Sequence, residues 1–150
     1  MNLEKHRLTW PTYADHFKSM MKYLMLNDEF ADITLVTEDK RHIQAHRNII
    51  SSCSPVFKEM LQKVKNLNQI IYLKGIYFSE MESIVQFIYL GEATVNRERM
   101  DEFLAVANSL EIKELCKAKE EINSAPESKH SLSDPKKVLA ESKDQHARKN

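Results

Sequence analysis

The residues in this chain that could do chemistry are all present at spacings that leave them without partners. His42 and His46 stand four apart, the interval at which one helix face can offer two imidazoles to a metal ion. No glutamate lies between them, and the local pattern changes from strand to helix within the interval, so both read as structural histidines. His6, His16, His130 and His146 are scattered and no Cys-x-x-Cys pair occurs, which excludes a zinc finger within this sequence. Ser51, Ser52 and Ser54 lack a Gly-x-Ser-x-Gly frame. Cys53 and Cys116 fall at apolar-periodic positions with nothing to activate a thiolate, and read as small core hydrophobes in a reducing compartment. Asp28-Glu29 and Glu38-Asp39 sit beside expected turns, where solvated carboxylates are commoner than an acid/base pair. Gly75 and Gly91 are the only glycines. Phosphate-cradling loops need clustered glycines, so P-loop and dinucleotide chemistry is excluded. The expectation is a protein that is not an enzyme and uses no cofactor or metal.

One charged pair fits a different use. Asp32 opens an alternating stretch in which Ile33 and Leu35 share a face, and Ile43 and Ala45 do the same on a return strand. Arg47 follows directly, so the two charges can approach each other as a structural ion pair or as a recognition pair. From His46 the period becomes helical: Ile49, Ile50 and Cys53, then Val56, Phe57, Met60 and Leu61, interrupted at Ser54-Pro55, a cap followed by a proline at the first helical position. A hairpin thus feeds two short helices.

Other elements surround this unit. Thr12 and Asp15 are candidate caps of a first helix in which Phe17, Met20, Met21 and Leu24 keep apolar spacing. Leu8-Thr9-Trp10, stopped by Pro11, is a short extended segment with few obvious intrachain partners. It can pair with a second chain by strand addition, or be a terminus with its Trp packed locally. Ile70-Ile71-Tyr72-Leu73 suits a buried strand ended by Lys74-Gly75. Ser79 and Glu82 form a candidate capping box for a helix turning Met81, Ile84, Val85 and Ile88 inward. The next helix starts near Asn96 with Met100, Phe103, Leu104 and Ala107, and a last one carries Ile112 and Leu115. This is an α+β fold, a small sheet flanked by helices.

Composition agrees with one domain: 150 residues, 42% hydrophobic, with 22 basic and 22 acidic residues. Balanced charge draws the chain to neither nucleic acid nor an anionic membrane. Sixteen basic and 18 acidic residues precede Asn123, and 6 and 4 follow, an excess too small for a DNA-binding arm. No window reaches the ~18 apolar residues of a membrane span, and Met1 to Leu8 lacks a signal-peptide core, so a cytosolic or nuclear protein is expected. Residues 1–122 make the domain; 123–150, with Pro126, Pro135 and five serines, read as a disordered polar tail.

The strand, the run Ala45-His46-Arg47, the helix and Ser54-Pro55-Val56-Phe57 together resemble the BTB/POZ domain. Phe87 to Ala93 is similar to that family's Tyr-x-Gly segment, where a helix ends and a short strand begins, and Leu104 to Cys116 to its closing helix pair. The resemblance covers roughly residues 8 to 118. It implies homo-oligomerisation, and partners such as other BTB proteins or corepressors. It also implies that Asp32 and Arg47 shape a charged pocket at a dimer groove. Leu8 to Phe17 resembles the opening of the insect Tramtrack-type group, with Pro11 and His16 where that group often has Asn. That likeness implies a subunit interface built from Leu8, Trp10, Tyr13, Phe17, Met20 and Met21, higher-order association, and a role in transcription or chromatin regulation in the nucleus. The alternative is an adaptor of a cullin-type ubiquitin ligase. Such adaptors tend to carry a hydrophobic-x-Glu motif after the Ser-Pro-x-Phe helix, and here Val64 and Leu67 both lack a Glu two places on.

Overall fold

A computed structural model describes residue 1 and residues 3–117. The expected tail, 123–150, and the domain's expected end at 122 lie outside the described residues. Helix α1 (Tyr13–Leu26) leads into β1 (Ile33–Val36) and β2 (His42–Ala45), then α2 (Arg47–Cys53), α3 (Pro55–Gln62) and β3 (Gln69–Tyr72). Helix α4 (Phe78–Leu90), a 3-10 turn (Arg97–Arg99) and α5 (Met100–Ser109) follow, with a further helical turn at 113–117. The sheet order is β2-β1-β3, with β1 antiparallel to β2 and parallel to β3. This is the expected α+β arrangement.

Alternation sets the faces of the sheet. Ile33, Leu35, Ala45 and Ile71 turn to a core completed by Ile50, Phe57, Met81, Ile84 and Phe103. The expectation of a buried third strand is corrected: among the described residues β3 is an edge, and while Ile71 is buried, Ile70 and Tyr72 point to solvent. Residues 92–96, where the resemblance implies a short strand, pair with none of the described residues as a ladder.

Capping departs from the sequence reading at two of three helices. Ser54 behaves as expected: its Oγ accepts from Phe57 N–H at 3.2 Å and donates to Leu110 O at 2.6 Å, so one buried hydroxyl starts α3 and ties it to the end of α5. Thr12 does not cap α1, because its hydroxyl accepts from Trp10 Nε1 at 3.0 Å. Ser79 does not cap α4 either. The Phe78 N–H donates to Asp39 Oδ1 at 3.1 Å, a cap delivered from the β1–β2 turn, and Ser79 Oγ donates to Glu80 instead.

That turn is a polar clamp. Glu38 Oε2 accepts from Gly75 N–H at 2.8 Å and from the Tyr72 hydroxyl at 3.0 Å, and Asp39 also accepts from the Thr37 hydroxyl at 2.7 Å. The Gly75 N–H, then the Tyr72 hydroxyl, hold Glu38 below its ordinary carboxylate value; the Thr37 hydroxyl does most for Asp39. Lowered carboxylates contribute stability that is fully present above their ordinary values and lost as pH falls through the lowered ones. The stability gap between the native chain and Glu38→Gln is therefore expected to shrink between pH 6 and pH 2.5. Urea unfolding along that series checks it, and a constant gap would contradict the clamp.

Candidate self-association surface

Helix α1 buries one residue, Met21, and packs against α4 through that side. Its other side carries Tyr13, Phe17 and Met20 at i, i+4 and i+7, exposed at 56%, 42% and 43%, with Tyr23 alongside. Trp10 continues this stripe beyond the helix start. Its ring lies 5.5 Å from Tyr13 and 4.6 Å from His16, and Tyr13 lies 6.1 Å from Phe17. A contiguous aromatic band facing water is costly for a lone chain, which makes it the candidate contact surface. Met21 corrects the expected interface set: it turns into the chain's own core, because one residue step of the helix puts it about 100° round from Met20. Leu8 is almost fully exposed, and the segment ahead of Pro11 belongs to no strand among the described residues.

Asp32 and Arg47 meet, but not as charges. Asp32 Oδ1 accepts from the Arg47 backbone N–H at 2.7 Å, which serves the first turn of α2. The Arg47 guanidinium points away and donates from Nη2 to Leu61 O and Val64 O, each at 3.1 Å, closing the end of α3. The expected ion pair is absent among the described residues. Two local hydrogen-bond demands outcompete it, since an unpaired helix-end group costs more than a solvent-screened ion pair returns. Arg47→Ala is expected to destabilise the fold by about 1–3 kcal/mol. In a double-mutant cycle with Asp32→Ala the losses should add within about 0.5 kcal/mol, and a larger coupling would restore the ion pair.

Sequence reasoning missed the link behind this region. His46 is buried, with Nδ1 2.8 Å from the Tyr89 hydroxyl and Nε2 3.1 Å from Glu29 O. The hydroxyl also accepts from the His46 backbone N–H at 2.9 Å. It must then donate to Nδ1, and the tautomer with hydrogen on Nε2 satisfies every group. Burial pushes the Tyr89 hydroxyl up to about 12. Glu29 Oε2 in turn accepts from the Tyr23 hydroxyl at 2.6 Å, so hydrogen bonds from the α4 and α2 side and from the exposed side of α1 meet on the two ends of one residue, Glu29. No signal short of the fold itself pairs residues 43 positions apart.

A sheet fed by a hairpin, a two-helix unit capped by Ser54-Pro55, and an exposed apolar first helix define a protein-interaction domain. The BTB/POZ domain family model matches residues 21–126, and the chain belongs to that family. It is 33% identical over 121 residues to the Drosophila melanogaster protein tramtrack, alpha isoform, covering 81% of this chain and 15% of that one. It is also 33% identical to the Broad-complex core protein of the same species, over 76% of this chain and 16% of that one. The Drosophila longitudinals lacking protein-like is 31% identical and matched over 85% of its length. Among solved structures, the BTB domain of zebrafish PATZ1 superposes with TM-score 0.69 at 15% identity, covering 79% of this chain and 98% of that one. The BTB domain of human Gigaxonin gives 0.66 at 21%, covering 80% and 98%, and both show the fold. The chain spans about a sixth of the length of tramtrack and the Broad-complex protein.

Proposed function

We propose that the chain is a homo-oligomerising interaction module, dimeric or larger, serving transcriptional or chromatin regulation in the nucleus. The exposed band Trp10, Tyr13, Phe17 and Met20, with the unpaired segment at Leu8, is the observation that supports it. A second copy covering that band removes apolar surface from water, and an extended Leu8-Thr9-Trp10 can pair its backbone across the interface. Other BTB proteins or corepressors join the assembly through the same fold. In this reading Asp32 and Arg47 contribute to partner binding by fixing where α2 begins and α3 ends, the work that Asp32 Oδ1 and Arg47 Nη2 already do. A relative of regulatory name, the sex determination protein fruitless at 32% identity, supports the regulatory part of this reading.

Light scattering on the full chain and on residues 12–150 tests the proposal. Deleting 1–11 is expected to lower the assembly mass, and an unchanged mass would sink the pairing segment. Adding the N-terminal region of a BTB-binding cullin is expected to leave the mass as it was. A shift would favour the ligase-adaptor role, which the missing Glu after Val64 and Leu67 argues against.

A further inference from the structure

Among the described residues strand β2 pairs on one side only, since the sheet order is β2-β1-β3. The bond from Thr37 N–H to Arg41 O marks a hydrogen-bonded pair at the hairpin end, in register with the β1–β2 ladder. Alternation along an antiparallel ladder then turns the backbone groups of Ile43 and Ala45 toward β1 and those of His42 and Gln44 outward. Among the described residues these outward groups meet no backbone partner.

A groove of 230 Å³ runs beside this edge, between the end of α1 and α4. It touches His42, Ile43 and Gln44 in succession. Consecutive strand residues point to opposite faces, so a cavity that meets all three lies along the edge of the sheet. Met25, Ile43, Phe78 and Val85 make its apolar floor. Asp28 and Glu82 supply its carboxylates, and no lysine or arginine among the described residues lines it. Arg41 stacks on Phe78, 3.4 Å from the ring centroid, and makes the Phe78 end positive.

We infer that this groove is a strand-addition site for an extended peptide of a partner protein, one that places a branched aliphatic residue on the apolar floor and a lysine or arginine beside Asp28 and Glu82. Outward N–H and C=O groups supply main-chain bonds, the floor takes alternate side chains, and the carboxylates select their charge. The site goes beyond the self-association proposed above and shares no residue with the Tyr13, Phe17 and Met20 stripe.

The test uses the full chain and a fluorescent, acetylated octapeptide alternating valine and lysine, read by fluorescence polarisation. Binding is expected, with at least tenfold loss in Glu82→Lys, whose residue is exposed on α4. N-methylation of alternate peptide residues should abolish binding, a control that leaves the protein untouched, and Gln44→Pro should do the same from the protein side. An octapeptide alternating valine and glutamate should bind at least tenfold more weakly. Equal binding of the methylated or acidic peptide, or indifference to Glu82→Lys, overturns the inference, as does no binding at millimolar peptide. Binding that emerges only after Val138→Asp with Leu139→Asp would give the groove to the chain's own Lys136-Lys137-Val138-Leu139 segment and overturn the assignment to a partner. A fall in assembly mass in Gln44→Pro would give the edge to a second copy, with the same effect.

Discussion

Phe17→Asp combined with Met20→Asp is expected to reduce the assembly to monomers while the domain stays folded. Both side chains are more than two-fifths exposed in the single chain, so charge there costs the fold little. In an assembled interface the same two carboxylates lose water without gaining a partner, a cost of several kcal/mol each. Association should weaken by about a thousandfold or more, corresponding to about 4 kcal/mol. Sedimentation or light scattering reads the mass, and circular dichroism reads the fold. Lys22→Asp lies across the helix from the stripe and is the control expected to leave the mass alone. If the double variant keeps the native mass, self-association does not use α1.

Tyr89→Phe is expected to cost about 2–4 kcal/mol of folding stability, large for the loss of one oxygen. The hydroxyl serves two groups of His46, its backbone N–H and Nδ1, in a site where Tyr89 is 4% and His46 6% exposed. Phenylalanine preserves the packing and leaves both groups without their partner, so the penalty is that of unsatisfied burial. Urea unfolding measures it. A loss under 1 kcal/mol would mean that the network is not satisfied through Tyr89. The variant should also speed amide exchange across Glu29 to Asp32, because His46 holds that segment through Glu29 O.

What the sequence could convey divides along the distance of the partner. Period and local punctuation located the hairpin, the two helices after it and the Ser54 cap, since each depends on neighbours within a few residues. The apolar stripe was legible as spacing, but spacing alone cannot say which of two adjacent methionines faces the core, and Met20 and Met21 part there. Arg47 and Asp32 were rightly placed near each other and wrongly paired. Their actual acceptor and donor are backbone groups, which every residue carries and no side-chain pattern marks. Likewise Asp39, apparently a solvated turn residue, caps a helix 39 positions away. The β3 run looked buried because Ile70 and Tyr72 are apolar. Edge position, decided by strand order, left them outside.

The central place of β1 also carries a timing. Its antiparallel partner follows within a few residues, but the parallel one begins at Gln69, 36 positions after Ile33. As the chain leaves the ribosome at about 5–20 residues per second, the hairpin can close while the other side of β1 waits roughly 2–7 s for its mate. Pairing across so long a loop is also intrinsically slower than closing a hairpin. The nascent protein therefore passes through a stage in which an apolar strand has one unguarded flank, and the helices α2 and α3, emerging in that interval, are its first cover.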